Sequence, residues 1–283
     1  MRTWIIPHFP PHTHYLEAFG GGASVLLAKP KCAFEVYNDI NSAMCDFFEM
    51  LISDDEFPRF MEKITQLPSS RELYRRFSKS WHTYDDRVDR MVRWFYVMWF
   101  SFSGCPHSGW SHSTTRIRGG HTELSYFWNS ILQSLDAIRE RFRFVQVENL
   151  PFQKVLKKYN FPSYLLYADP PYVLDTRSGG ETYVHEMTRE EHEELVRLLL
   201  DYSGMVVLSG YEHEVYKPLT DAGWKLVKRP TNVRVVKTDE SSRVECLWLN
   251  PKTVEALNGR GLVYEIERRG NGYTYRKTRT LFV

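Results

Sequence analysis

Apolar and polar positions recur along the chain in two rhythms. Residues 13–27 read as a short strand, a glycine turn and a helix, and 34–39 read as a second strand ending in polar residues. A helix is expected from 42 to 52, which makes the opening β-α-β-α, the start of a doubly wound α/β sheet. From about 54 to 143 the strand signal fades, and helical periodicity dominates 56–66, 70–80, 86–100 and 123–141. A loop rich in Ser, Gly and His fills 101–122. Strands return at 144–148, 164–168 and 205–209, with helices fitting at 151–158 and 188–202. Further strands are expected at 224–228, 233–237 and 244–249, and Asn271-Gly272 between β-formers predicts a terminal hairpin. The pattern is that of an α/β sheet interrupted by a helical block.

Composition changes this picture little. A 283-residue chain with 42% hydrophobic and 25% charged residues is ordinary globular material, which excludes disorder, collagen and coiled coil. No apolar run reaches the ~18 residues of a membrane span. The start, Met1-Arg2-Thr3-Trp4, lacks a signal-peptide layout. Cys32, Cys45, Cys105 and Cys246 are scattered without a C-x-x-C pair, which points to a reduced, cytoplasmic protein with no structural zinc site and no metal centre. The net charge of +2 does not announce nucleic acid. Local distribution has to do that.

Candidate chemistry begins at Asp169-Pro170-Pro171-Tyr172, directly after the apolar strand 164–168. Two prolines stop a strand and make a rigid turn, which fixes an Asp and a Tyr at the carboxyl edge of a sheet, where open α/β folds bind ligands. Phe19-Gly20-Gly21-Gly22 lies between a strand and the expected helix, where glycines admit a ligand close to the backbone. It lacks the G-K-[ST] ending of a phosphate-binding loop. Asp39, about 20 residues on, stands where an acidic side chain can hold a ribose diol. The bland readings are an ordinary Asp-Pro-Pro turn, a common glycine turn and a helix cap.

Together these segments resemble the Dam-like DNA adenine-N6 methyltransferases, especially the phage and prophage branch. The resemblance is carried by Tyr15-Leu-Glu-Ala-Phe-Gly-Gly-Gly-Ala-Ser-Val, Tyr37-Asn-Asp-Ile-Asn, Tyr167-Ala-Asp-Pro-Pro-Tyr and Arg243-Val-Glu-Cys-Leu-Trp-Leu-Asn, with Tyr183-Val-His-Glu-Met-Thr and Leu208-Ser-Gly-Tyr. It covers about residues 5–252. It implies an S-adenosylmethionine-dependent, Rossmann-like methyltransferase sheet formed by 1–54 and 143–252 and a mainly helical target-recognition insertion at 55–142; beyond the resemblance, the excess of basic residues and the Asn271-Gly272 signal predict a basic hairpin extension at 253–283. It implies methyl transfer from S-adenosylmethionine to N6 of a flipped adenine in double-stranded DNA. Separately, the sequence shows no long exposed apolar stripe, which favours a monomer, with a dimer on DNA as the alternative. Asp169 and the Pro170 carbonyl would accept the two amine hydrogens, Pro171 would stiffen the turn, and Tyr172 would stack on the base. Glu17, Phe19, Gly20, Gly22, Asp39, Asn149, Leu150 and Asp169 would line the cofactor site, though the family often has an acidic residue where Leu150 stands.

In that family the inserted block recognises DNA, and charge supports this here. Residues 91–122 contain no Asp or Glu but hold Arg93, Arg116, Arg118, three histidines and seven aromatics. A basic, aromatic stretch suits phosphate contacts and base wedging. Arg93, Arg116, Arg118 and Tyr183 are therefore the expected DNA contacts, while Trp94, Phe95, Met98 and Trp99 at helical spacing read as core. The mixed charges of 70–93 read as a solvated face. Two departures stand out: no Gly-Gly-Lys segment precedes Trp4, and Ala18 replaces the family's usual Pro. They keep a second reading open, a DNA-binding homologue with weakened catalysis.

Overall fold

The structure, a computed structural model, describes residues 1–101, 109–111, 113–176, 185–231, 243–259, 263–269 and 272–278. The chain divides into two compact units, one of residues 1–40, 148–181 and 185–283, the other of 41–147 and 182–184.

The strands are β1 (His14–Glu17), β2 (Phe34–Asn38), β3 (Ile117–Arg118), β4 (His121–Thr122), β5 (Val145–Glu148), β6 (Tyr164–Ala168), β7 (Met205–Tyr211), β8 (Lys225–Thr231), β9 (Arg243–Leu249), β10 (Val263–Arg269) and β11 (Gly272–Thr278). Seven of them form one sheet in the order β5-β2-β1-β6-β7-β9-β8. β1 pairs in parallel with β2 and β6, and β6 with β7. β9 runs antiparallel to both β7 and β8. β6 shows why the centre is parallel: all five of its residues, Tyr-Leu-Leu-Tyr-Ala, are buried, as expected for a strand covered on both faces. The helices of this unit are α1 (Arg2–Ile5), α7 (Phe152–Lys158), α8 (Arg189–Leu200), α9 (Lys217–Asp221) and α10 (Pro251–Asn258), with α2 to α6 in the other unit. The start of α8 is fixed by a capping box, in which Thr188 and Glu191 satisfy each other's backbone N–H. The core joins Leu16, Val36, Leu166, Leu195, Leu208 and Trp248.

One expected helix is absent. After the glycine turn, residues 24–28 form successive turns, with Leu27 N–H donating to the Ala23 carbonyl and Lys29 N–H to that of Val25. Ala23 holds φ +53°, a left-handed conformation no regular helix contains, and Pro30 stops the chain a turn later. The short helices α1, α9 and α10 carry too few periodic positions to be expected. The strand expected at 233–237 lies outside the described residues.

The second unit contains α2 (Ser42–Ile52), α3 (Glu56–Ile64), α4 (Arg71–Ser80), α5 (Arg87–Phe100) and α6 (Glu123–Phe142). Its core is aromatic. Phe47 stacks on Phe95 at 4.9 Å and Phe48 on Phe142 at 4.0 Å, and Trp94, Phe95 and Trp128 are buried. These stacks draw α2 into the helical unit, so the divisions fall at 40/41 and 147/148 where the sequence placed them at 54/55 and 142/143. Within the expected loop 101–122, β3 and β4 make a small hairpin around Gly119 and Gly120, whose φ of +56° and +80° suit a tight hairpin turn. The terminal hairpin also forms, with β10 antiparallel to β11 and Arg269 opposite Gly272. Asn271 itself lies outside the described residues.

Candidate active site at the carboxyl edge of the sheet

β1, β2, β6 and β7 all end at one edge, and each contributes a polar group there. β1 ends at Glu17 and runs into the glycine turn. The Gly20 N–H donates to the Asn38 carbonyl (2.8 Å), the Gly21 N–H to Asp39 Oδ2 (2.7 Å), and the Tyr37 hydroxyl to the Gly21 carbonyl (2.7 Å). A Cβ on Gly20 would lie 2.1 Å from a Tyr37 ring carbon, so nothing larger than glycine fits. Gly21 needs its freedom for φ +47°. Gly22 differs: it is exposed, and a Cβ there would meet nothing within 4 Å. Neither packing nor backbone asks for glycine at 22, whereas close approach of a ligand would.

Asp39 is half-buried at the end of β2, bound to the glycine turn through Gly21. Phe19 and Leu150 are half-buried and pack on the core from this same edge, Phe19 with its ring 5.7 Å from Phe152. Asn149 is exposed, and its amide donates to the carbonyls of Asp39 (2.7 Å) and Ile40 (3.0 Å). Asn38, 1% exposed, binds everything together: its Nδ2 donates to the carbonyls of Ala18 (2.8 Å) and Leu150 (3.1 Å), and its Oδ1 accepts from Leu150 N–H (3.0 Å). Glu17 is buried, accepting from the Tyr15 hydroxyl (2.6 Å) and from Leu26 N–H. Burial pushes its pKa up to about 8 against those two bonds, and the charge of Asp169 adds to the rise. Glu17 therefore braces the turn from inside.

Asp169 follows β6. Water reaches it, yet the protein around it is dense enough that desolvation raises its carboxyl pKa above the usual range. Hydrogen bonds from Ser209, Tyr167 and Tyr172 oppose that rise. Ser209 Oγ, from β7, donates to Asp169 Oδ1 at 2.6 Å and lies 3.1 Å from the Tyr167 hydroxyl. Pro170 is buried and Pro171 half-buried. Tyr172 is half-buried, and its hydroxyl donates to Glu245 Oε2 at 3.0 Å. Its ring meets that of Tyr211 edge-on, with centroids 4.7 Å apart at 76°.

The structure thus gathers Glu17, Phe19, Gly20, Gly22, Asp39, Asn149, Leu150, Asp169, Pro170, Pro171 and Tyr172 at the ends of neighbouring strands. The sequence reading missed Asn38, Ser209, Tyr211 and Glu245 as site residues. A signal existed: each of Asn38, Ser209 and Glu245 is a polar residue inside an apolar strand, where burial is costly without a bonded role. Among the described residues no group of His, Cys, Asp and Glu could hold a metal ion, and no helix is long and apolar enough to cross a membrane. Cys32, Cys45 and Cys246 are free thiols, and Cys105 lies outside the described residues.

The expected DNA contacts belong to the helical unit, and the structure sorts them. Arg116 and Arg118 are exposed on the small hairpin, with Ile117 between them 77% exposed. The Arg118 guanidinium lies over Phe127 (4.9 Å) and Tyr126 (5.7 Å) of α6. Arg116 makes an exposed ion pair with Glu123 at 3.4 Å. Arg93 is turned inward, over the Tyr84 ring at 3.5 Å and bonded to the Asp89 carbonyl at 2.7 Å. Tyr183 lies outside the described residues.

A mostly parallel sheet with an antiparallel β9 between β7 and β8, a glycine turn after β1 and an Asp-Pro-Pro-Tyr turn after β6 define an α/β methyltransferase sheet, as the resemblance implied. The chain belongs to the D12 class N6 adenine-specific DNA methyltransferase family, which matches residues 2–233. Among solved structures it is similar to SMU.472, a putative methyltransferase complexed with SAH, at 13% identity and a TM-score of 0.33, over 86% of this chain. The chain spans about half, 48%, of that protein's length. No curated protein matches the sequence.

Proposed function

We propose that this protein methylates N6 of adenine in double-stranded DNA, using S-adenosylmethionine. The observation that carries the reading is Asp169: a solvent-reached carboxylate at the carboxyl edge, aimed by Ser209 and followed by the buried Pro170 and by Tyr172. The exocyclic amine of adenine is a weak nucleophile because its lone pair is delocalised into the ring. Acceptors on both its hydrogens restore electron density to nitrogen, and the Asp169 carboxylate and Pro170 carbonyl are two acceptors on consecutive residues. Tyr172 offers a ring on which the unstacked base can lie, worth about 1–3 kcal/mol against a flipping cost of a few kcal/mol.

The cofactor region fits its expected ligand. The unfilled space at Gly22 admits a chain close to the backbone, Asp39 stands where a ribose diol can donate to it, and Phe19 and Leu150 offer apolar faces for an adenine ring. S-adenosylmethionine, when bound, supplies the electrophilic methyl group. The protein's part is then orientation, holding the amine in line with that methyl. For DNA, we propose Arg116 and Arg118 as contacts on an exposed hairpin. Arg93 could reach DNA only by leaving Asp89 and Tyr84.

The test is to incubate the protein with S-adenosylmethionine and unmethylated duplex, digest to nucleosides and weigh them. Wild type should yield N6-methyldeoxyadenosine, and Asp169→Ala should yield about 1% of that or less, the scale of losing one preorganised polar contact. Methylated cytosine instead, or none with DNA still bound, would replace this reading with amine methylation of another base or with a binding homologue.

A further inference from the structure

Glu245 lies outside the segment that the family matches, and the chemistry above gives it no task. It sits on β9, 7% exposed, directly opposite Tyr211 of β7 in the antiparallel ladder. Its carboxylate accepts from the Tyr172 hydroxyl at 3.0 Å and from that of Tyr211, and the two phenol rings meet edge-on. The three side chains form a closed triangle. On its other side Glu245 stands opposite Arg229 of β8, but that guanidinium lies 5.7 Å from the Trp4 ring, and no ion pair to Glu245 forms. Burial raises the Glu245 pKa, the positive charge of the Met1 amine offsets only part of that rise, and an apolar residue would pack a strand at less cost. What the carboxylate provides is a fixed acceptor for two phenols.

Tyr172 needs one. Residues 171–173 belong to no helix or strand, so regular structure does not set the direction of the ring. The two prolines fix the backbone at one end of the side chain. Only a bond at the hydroxyl fixes the other end.

We propose that Glu245 is a positioning residue for base methylation: it tethers the Tyr172 hydroxyl, with the Tyr211 ring as a side wall, and so sets the plane on which the target base stacks. The inference rests on the methyl-transfer reading of the site. A ring freed from this tether still offers area to the base but holds it in many orientations, and in-line transfer is sensitive to misplacement on the order of 1 Å.

The experiment measures single-turnover methyl transfer and, separately, the fluorescence of a duplex carrying 2-aminopurine at the target position. Wild type, Glu245→Leu, Glu245→Gln, Tyr172→Phe and the Glu245→Leu/Tyr172→Phe double variant are compared, with thermal unfolding of each. Glu245→Leu should slow transfer by about 10- to 100-fold while KM for S-adenosylmethionine and DNA change less than about 3-fold. Glu245→Gln keeps an acceptor oxygen and should recover most of the rate. Tyr172→Phe also removes the hydroxyl's bond to Asp169, so it should be at least as slow as Glu245→Leu, and the double variant should be no slower than Tyr172→Phe, because Glu245 acts through that hydroxyl. Multiplying losses in the double variant, a Gln variant as slow as Leu, or a Leu variant at wild-type rate would each overturn the assignment. A wild type that neither transfers methyl nor brightens 2-aminopurine would overturn the methyl-transfer reading itself.

Discussion

Glu17 and Asp169 stand at the ends of adjacent parallel strands, and desolvation raises the pKa of both, by full burial for Glu17 and by the dense protein around a solvent-reached carboxyl for Asp169. The consequences differ in kind. For Glu17 the folded pKa is about 8 against a reference of 4.5. A raised carboxyl pKa gives stability that is whole below the unfolded pKa and is lost as pH climbs through the folded one. Glu17→Gln should therefore gain on wild type as pH rises from 5 to 9, by a few kcal/mol at about 1.4 per pKa unit, read as a widening gap in Tm between the two proteins. For Asp169 the titration bears on catalysis, because only the carboxylate accepts both from Ser209 and from an amine hydrogen. The acid limb of kcat should fall through a pKa above the ordinary 3.8, and Asp169→Asn should raise Tm at neutral pH while abolishing turnover. Ser209→Ala removes the strongest of the opposing hydrogen bonds, so it should move that limb further toward neutrality. A pH–rate series on both proteins checks the direction.

At the scale of elements, the β3–β4 hairpin combines exposed cations with an exposed apolar side chain, Ile117, and has Gly119 packed on the Tyr126 ring. Arg118→Ala should weaken DNA binding and lower the slope of log affinity against log salt by about one, the value for one phosphate contact. Arg116→Ala should cost less, since Glu123 already shares that guanidinium. Gly119→Ala combines a positive φ with a Cβ 2.8 Å from Tyr126, so it should reduce DNA affinity while Tm, set by the aromatic core elsewhere, stays nearly constant. Titrations over a salt series and a melting curve separate these outcomes. The elements also show what sequence carries. α5 and α6 were legible because their apolar residues recur at 3.6 over many turns. The turn at 23–29 was not, because its apolar residues Val25, Leu26 and Leu27 look helical while Ala23 takes a left-handed conformation that only geometry reveals.

For the whole molecule, the two units follow from one rule, that a chain groups by shared core. The sheet unit is discontinuous in sequence, left after residue 40 and re-entered at 148. That organisation was legible from the change of rhythm, and its borders were not, because α2 is amphipathic and could pack on either a sheet or other helices. The site was legible where it is a motif, as in Asp169 to Tyr172, and illegible where strands distant in sequence supply single side chains, as with Ser209 and Glu245. The hairpin β10–β11 pairs only with itself among the described residues. Deleting 260–283 should therefore leave Tm within about 2 °C of wild type, and a fall in DNA affinity at moderate salt would assign the tail to DNA. Asn38 has a consequence of another sort. One buried amide joins the exit of β1, the end of β2 and the Leu150 backbone, so these three segments share a single opening event. The Leu150 amide, though it lies in a loop, should exchange its hydrogen for deuterium as slowly as amides of the central strand β6, and in Asn38→Ala it should exchange at the rate of an ordinary loop.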